Sequence, residues 1–222
     1  MVFNSLAFLV FFTIFFPVYW IINNRLTIRA RNLFIIAASY LFYGWWDWRF
    51  LGLIVLSSAI DYTVGLKMEQ VHVKKTRRLL LLISLLSNLG ILGFFKYFNF
   101  FVDSLNHSLS LFNVHLDTGT LKIILPVGIS FYTFQTLSYT IDIYKGKLRS
   151  TKDIVSFFAF VSFFPQMVAG PIERASHLLK QFMDRKKFNY QLCVQGLRLM
   201  LWGFFKKIVI ADNPATNTQR SG

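Results

Sequence analysis

The segment FFPQMVAGPIERASHLLKQF, from Phe163 to Phe182, decides the fold. It ends an apolar run over 154–169 that contains Pro165, and it then passes through Gly170-Pro171 into charged residues. Proline interrupts a helix because it has no N–H to donate and its ring clashes with the preceding turn. Glycine permits an unusual φ, and proline suits the first position of a helix. We therefore predict that the chain turns here and continues as a helix over 171–182.

The predicted helix is amphipathic. At 100° per residue, its apolar side chains fall within about 120° of arc; they are Ile172, Ala175, Leu178, Leu179 and Phe182. Glu173 lies in the first turn, where the helix dipole favours a carboxylate, and His177 is four residues further on, in position to pair with it. The pattern predicts an interfacial helix that lies along a membrane surface.

The composition is that of a membrane protein. The chain has 222 residues, of which 55% are hydrophobic and 26 are Phe. Several apolar runs approach or exceed the roughly 18–20 residues that cross a bilayer. They are continuous, unlike the alternating strands of a membrane β-barrel. The predicted fold is an all-α, polytopic transmembrane helical bundle with apolar runs near 2–22, 33–46, 50–66, 79–102, 121–141, 154–169 and 192–211.

The charge is distributed unevenly between the runs. The net charge is +14, and Lys and Arg concentrate in the loops 23–32, 67–78 and 142–153, whereas 103–120 contains neither. Because basic loops stay in the cytoplasm, the N-terminus is predicted to lie outside, and a tight corner at Trp46–Arg49 is predicted on the outer side. This placement accounts for the charge by membrane topology, and no nucleic-acid partner is expected.

The run 154–169 does not fit a simple crossing. It has about 16 residues, fewer than a bilayer requires, and a crossing would place five basic residues of 171–190 outside; they are Arg174, Lys180, Arg185, Lys186 and Lys187. We therefore predict a re-entrant, broken helix, a geometry tolerated where the backbone is buried in protein or lines a wet cavity. Such helices often frame substrate sites. The alternative is a simple corner between two helices.

Other polar residues inside the runs leave alternatives open. Asp61 is interpreted as pairing with a basic loop residue, with catalysis as the alternative. Lys206 and Lys207 face a hydrated cavity or mark a break in the last run. Pro126 and Gly128 predict a kinked helix, whose Ser and Thr side chains form helix–helix hydrogen bonds or line a tunnel.

Some chemistries have no support in the sequence. The only cysteine is Cys193, which excludes an intrachain disulfide and a cysteine-built metal site. No glycine-rich phosphate loop occurs, so nucleotide hydrolysis is not indicated. There is also no paired-carboxylate or metal-ligand cluster, and we predict no metal site.

The segment 163–182 strongly resembles the signature region of the membrane-bound O-acyltransferase family, in the branch that O-acetylates alginate. Further stretches agree in order: YLFYGWW (40–46), SSAIDYTVGL (57–66), FFKYFNFF (94–101), LPVGISFYTFQTLSYTIDIYKG (125–146) and WGFFKKIVIADN (202–213). The resemblance implies an acyltransferase in the bacterial cytoplasmic (inner) membrane. It would modify hydroxyls of an exported polysaccharide or cell-envelope polymer, as in alginate O-acetylation.

The resemblance also implies partners and a site. The acyl donor would be acetyl-CoA or a carrier-borne acyl group on the cytoplasmic side. Partners would be membrane lipids, a donor or carrier protein, and the polymer or a periplasmic or extracellular acyltransferase. The substrate path or signature turn would comprise Pro165, Gln166, Gly170, Pro171, Glu173 and Arg174.

The family's catalytic histidine follows a Trp in a later segment, and this sequence has no Trp-His pair. We therefore assign no catalytic residue. Residues 1–213 are interpreted as the N-terminal part of an acyltransferase domain, inactive alone, and 214–222 as an atypical, frayed or artificial tail. The alternative function is a non-catalytic transporter or acyl-export channel subunit.

Overall fold

The computed structural model describes residues 3, 5–110, 126, 128–170, 173–207 and 209. This part of the chain consists of helices and short connections, without strands, as the sequence predicted. The α-helices are α1 (Leu6–Arg25), α2 (Ile28–Asp47), α3 (Leu51–Gln70), α4 (Lys74–Ser110), α5 (Ile129–Tyr144), α6 (Ile154–Ser162), α7 (Phe164–Ala169), α8 (Ala175–Met183) and α9 (Tyr190–Phe205).

Three helical segments are long and apolar enough to cross a membrane: Leu6–Arg25, Ile28–Gln70 and Lys74–Val102. The second contains α2 and α3 with a 3₁₀ turn at Trp48–Phe50 between them. Asp47 caps that turn by accepting a hydrogen bond from the Arg49 N–H at 2.9 Å, which forms the predicted tight corner. The prediction of an all-α membrane protein is confirmed.

The basic loops are shorter than predicted. Only Leu26 and Thr27 separate α1 from α2, and only 71–73 separates α3 from α4. Helix α4 continues to Ser110, well beyond the predicted end of its apolar run at 102. Lys and Arg are good helix formers, so the basic residues beside an apolar run, such as Lys67 in α3 and Lys74 in α4, belong to the helix.

The chain divides into two compact units. The first combines Met1–Thr27 with Arg185–Gly222 and contains α1 and α9. Within it, the rings of Trp20 and Phe188 meet edge to face with centroids 5.0 Å apart. Asn23 donates a hydrogen bond from Nδ2 to the Lys186 carbonyl at 2.7 Å. These contacts join the end of α1 to the connection that precedes α9.

The second unit, Ile28–Asp184, contains α2–α8. Within it, helix α5 is largely buried and packs against α3, α4, α6, α7 and α8. It begins at Ile129 and is preceded by Gly128, whose φ is +80°. The predicted kink at Pro126 and Gly128 is therefore wrong, because these residues precede the helix. Of the predicted run 121–141, residues 121–125 and 127 lie outside the described part.

A buried polar network joins α3, α4 and α5. Asp61 is fully buried and accepts hydrogen bonds from Ser84 Oγ at 2.6 Å and Asn88 Nδ2 at 2.8 Å. Thr140 Oγ1 lies 3.0 Å from Ser84 Oγ, and Ser57 donates to Asn88 Oδ1 at 2.5 Å. The expected pairing of Asp61 with a basic residue is wrong, since its partners are neutral. The network supports the helix–helix interpretation of the polar residues on α5.

Candidate functional site: an interrupted helix held by polar side chains

The apolar run 154–169 forms two helices, because the backbone leaves the helical conformation at Phe163, with φ −56° and ψ 107°. Pro165 follows in the first turn of α7, where its missing N–H breaks no helical hydrogen bond. In a continuous helix Pro165 would clash with the carbonyl four residues earlier. The predicted break is present, two residues before the proline.

Two side chains from neighbouring helices satisfy the backbone groups at this break. The Phe164 N–H donates to Ser39 Oγ of α2 at 3.2 Å. Gln135 of α5 donates from Nε2 to the Phe160 carbonyl at 2.7 Å. Ser39 and Gln135 are almost completely buried. Because an unpaired buried backbone group is costly, these two contacts stabilise the interruption away from water.

The short helix α7 is enclosed on several sides. Phe164 and Met167 are buried, and the Phe164 ring lies 5.1 Å from that of Phe42 on α2. A Cβ added at Gly128 would lie 2.6 Å from the Met167 carbonyl oxygen. Only glycine combines this close approach with a positive φ, so Gly128 allows the start of α5 to lie directly against α7.

Gly170 ends α7 for a different reason from the one predicted. Its φ is −73°, which any residue adopts. However, a Cβ at this position would lie 2.5 Å from Gln166 Oε1 and 2.7 Å from Gln166 Cα. The glycine is required by the close approach of the Gln166 residue, which is itself buried.

Helix α8 begins at Ala175, four residues later than predicted. Glu173 therefore precedes the helix, and the backbone carbonyl of Arg174 accepts the first hydrogen bonds, from the N–H groups of His177 and Leu178. The predicted pair is present, with His177 Nδ1 2.8 Å from Glu173 Oε2. Both side chains are accessible to solvent, at 72% for His177 and 39% for Glu173, so the pair lies on the outer side of the unit.

The apolar side of α8 faces protein. Ala175, Leu178, Leu179 and Phe182 are all buried, and the helix packs against α2, α5 and α6. The predicted apolar face is therefore present, but it packs against other helices of the unit to which α8 belongs. The remaining predicted member, Ile172, lies outside the described residues.

Polar side chains hold both ends of α8. Ser138 Oγ of α5 accepts from the Ala175 N–H at 3.2 Å. At the other end, Arg31 of α2 donates to the carbonyls of Phe182 and Asp184, each at 2.7 Å. Arg31 is only 1% exposed. The assignment of Arg31 to a basic loop was wrong, since it caps the carbonyl end of a helix, where a cation is favourable.

The structure brings only some of the predicted site residues together. Gln166 and Gly170 are in direct contact, and Pro165 is half-buried in the same short helix. Glu173 is half-buried and Arg174 exposed, after the turn. Pro171 lies outside the described residues. Sequence reasoning missed Ser39, Gln135 and Arg31; the unusual polarity of α5 was a signal for Gln135, whereas the other two had none.

Other features offer less chemistry. Among the described residues, no group of three His, Cys, Asp or Glu side chains could hold a metal ion. A surface hollow of about 340 Å³ on α4 is lined by Gly93, Phe94, Phe98, Phe101 and Val102. Its lining is apolar, so it provides no group for catalysis.

The chain is similar to curated proteins that are named as O-acetylases or O-acetyltransferases. Over 97% of its length, the chain is 39% identical to a probable alginate O-acetylase of Azotobacter vinelandii, of which it covers 42%. It is 38% identical, also over 97% of its length, to a probable alginate O-acetylase of Pseudomonas aeruginosa, covering 41% of that protein. A peptidoglycan O-acetyltransferase of Helicobacter pylori is 35% identical over 90% of the chain, with 43% of that protein covered.

These similarities confirm the expected resemblance to the O-acyltransferase branch that O-acetylates alginate. The chain spans about two fifths of the length of the curated relatives that it matches. No family model matches it. No solved structure matches it either.

Proposed function

We propose that the chain is part of a membrane-bound O-acetyltransferase that modifies hydroxyls of an exported polysaccharide or another cell-envelope polymer. The observation that carries the proposal is the similarity, over nearly the whole chain, to alginate O-acetylases and to a peptidoglycan O-acetyltransferase. Their names share one reaction type and differ in the polymer. The proposal therefore specifies the reaction, acetyl transfer, and does not specify which cell-envelope polymer is the acceptor.

In this proposal, the interrupted helix forms a wall of the acetyl route. The α6–α7 segment enters the bilayer from the cytoplasmic side and returns to it, and the N-terminus lies outside the inner membrane. Ser39 and Gln135 support this assignment, because they pair the backbone groups that a broken helix exposes. Irregular backbone is tolerated at membrane depth when it is satisfied in this way.

The reaction transfers an acetyl group between two nucleophiles. The donor is proposed to be an acetyl thioester: the acceptor hydroxyl attacks its carbonyl carbon, a base takes the hydroxyl proton, and the carbon–sulfur bond breaks to release the thiolate. Hydrogen-bond donors stabilise the negative oxygen of the intermediate. His177 is not assigned as the base, because its side chain is exposed on the outer side of its unit and it does not follow a Trp, as the family's catalytic histidine does. The base is proposed to come from residues outside the described part.

The activity test uses the full-length polypeptide encoded by the gene. It is expressed in a bacterial strain from which the resident polysaccharide O-acetyltransferase has been deleted, and ester-linked acetate is released from the polymer by mild alkali and quantified. Restored acetylation supports the proposal. Acetyl groups that cross the membrane while the polymer stays unmodified would favour an export channel and contradict it.

A glycine pair tests whether the interrupted helix takes part. Gly170→Ala places a methyl group 2.5 Å from Gln166 Oε1, whereas Gly90→Ala on α4 meets nothing within 4 Å. We expect Gly170→Ala to reduce acetylation at least about tenfold, since small displacements near a reacting group are costly. Gly90→Ala should retain activity, and equal activities of the two variants would remove the interrupted helix from the proposal.

The re-entrant path has its own test. Lys186→Cys in a Cys193→Ser background is labelled with a membrane-impermeant thiol reagent, applied separately to each side of the membrane. The proposal expects labelling from the cytoplasmic side. Labelling from the outer side would show that 154–169 crosses the membrane fully.

A further inference from the structure

Helix α9 is apolar around most of its circumference but carries one polar stripe. The stripe consists of Gln191, Gln195, Arg198 and Trp202, and it continues to Lys206, the residue directly after the helix, whose backbone is still helical. At 100° per residue, these positions fall within about 80° of arc. They follow one another at spacings of three or four residues and extend over about 22 Å at 1.5 Å per residue.

The rest of α9 is suited to lipid. Its exposed side chains outside the stripe include Leu192, Leu197, Leu199 and Leu201, and none of its residues is buried. Arg198 lies in the middle of the helix. A guanidinium or an amide that faces hydrocarbon is unfavourable, and such residues face a protein interior or a water-filled cavity instead. The polar stripe is therefore the side of α9 that cannot face lipid.

Within the described part of the chain, nothing satisfies this stripe. Gln191, Gln195 and Arg198 have no hydrogen-bond or ion-pair partner there, and the nearest aromatic partner of Lys206 is the stripe's own Trp202, at 5.3 Å. The described residues of the same unit contain no Asp or Glu, and its one acidic residue, Asp212, lies outside the described part. Among the described residues of this unit, the positive charge of the stripe is therefore uncompensated.

We propose that this stripe lines a water-filled passage in the full-length protein and draws an anionic ligand, a phosphate or a carboxylate, along it. The two amides offer hydrogen bonds to water and ligand, and Arg198 can bind either anion with two parallel hydrogen bonds. Trp202 holds the Lys206 ammonium near its ring. The passage itself is independent of the proposed acetyl transfer; only the identity of the ligand rests on it.

The native cysteine provides a matched control. Cys193 lies opposite the stripe on the helical wheel, two residues from Gln191 and two from Gln195. Gln195→Cys in a Cys193→Ser background therefore tests the stripe, and the unchanged chain tests the opposite face at nearly the same depth. Membranes that contain each full-length protein are treated with anionic sulfonatoethyl methanethiosulfonate or with the cationic trimethylammonioethyl reagent.

The passage predicts that Gln195→Cys is labelled and that Cys193 is not. The rate of each reagent at position 195 is divided by its rate with a free thiol in solution. This normalised rate should be higher for the anionic reagent than for the cationic one. Adding Arg198→Gln should reduce that preference about sevenfold, because the loss of one unit charge roughly 7 Å away in water changes each of the two rates about threefold, in opposite directions. Absence of labelling at position 195, equal labelling of both faces, or a preference for the cationic reagent would each overturn the proposal.

Ligand protection separates the two sources of the anion. If coenzyme A slows labelling of Gln195→Cys, the group that binds to the stripe is a phosphate. If a uronate oligosaccharide slows it, the group is a carboxylate. Protection by neither compound would overturn the anionic ligand. If the unchanged full-length protein does not acetylate the polymer but the labelling pattern is as expected, only the proposed enzyme function is contradicted, because labelling needs no turnover. The elution volume of each variant in gel filtration verifies that it is folded.

Discussion

Helices α8 and α9 follow each other in the chain, and each has polar residues along one side, yet their surroundings are opposite. Four of the nine residues of α8 are buried, whereas none of the 16 residues of α9 is. In α8 the apolar side is the narrow one, and it packs on α2, α5 and α6. In α9 the polar side is the narrow one. In each helix, the narrower of the two sides is the one that needs a particular environment: protein for the apolar side of α8, and water or polar groups for the polar side of α9.

The largest expected effect concerns the end of α8. Arg31→Met removes the donors to the Asp184 carbonyl and to Asn32 Oδ1. Because each buried group left without a partner costs about 1–3 kcal/mol, we expect the free energy of unfolding to fall by about 3–5 kcal/mol, measured by denaturant titration of the full-length protein in mixed micelles. Arg29→Met is the control; Arg29 is exposed, and its nitrogen lies 3.9 Å from Asp153. Equal losses would refute the capping role of Arg31.

The next effect compares the same truncation on the two helices. Leu179→Ala on α8 removes a side chain that is 1% exposed, and Leu199→Ala on α9 one that is 71% exposed. A cavity in a packed interior costs about 2–4 kcal/mol, whereas a truncated exposed side chain changes stability by less than about 0.5 kcal/mol. The same micelle titration measures both. A large loss from Leu199→Ala would mean that α9 is covered as tightly as α8.

A smaller effect is expected at the start of α8. Ser138→Ala removes the acceptor of the Ala175 N–H, and loss of one such hydrogen bond costs about 1 kcal/mol. Ser87→Ala serves as the control, because the Ser87 hydroxyl bonds only within its own helix, to the Ile83 and Ser84 carbonyls. Hydrogen exchange of the α8 amides should accelerate only in Ser138→Ala. Equal exchange in both variants would show that Ser138 does not hold the helix start.

The smallest effect is expected on the solvent side of α8. Glu173→Gln weakens the contact with His177, and both side chains are exposed to solvent. Exposed ion pairs contribute about 0.2–1 kcal/mol, so the thermal midpoint should change only slightly. A loss as large as that of Leu179→Ala would show that the pair is buried in the full-length protein.

The sequence predicted the helical class, the interruption near Pro165 and the apolar side of α8, because each depends on local pattern. Helical periodicity identifies an apolar face, and proline identifies where a helix cannot continue. Neither identifies what covers the face. For that reason α8 was predicted to lie on a membrane surface, and its packing on three protein helices could not be foreseen.

The polar supports of the site were beyond sequence reasoning for a related reason. Ser39 and Gln135 act on backbone atoms 125 and 25 positions away along the chain, and no local pattern records such a pairing. Arg31 was counted with its neighbours as loop charge, although its guanidinium is buried against the end of α8. Loop charge constrains topology, but it does not distinguish a solvated arginine from one that caps a helix.

The Asp61 network has a consequence for how the protein enters the membrane. Helix α3 inserted alone would expose a carboxylate to lipid near its centre, at roughly 2.5–3.5 kcal/mol on insertion scales. Its hydrogen-bond donors, Ser84 and Asn88, are both on α4, the next helix to be synthesised. We therefore expect α3 to stay at the insertion machinery until α4 has emerged, so that the two helices enter the bilayer as a pair.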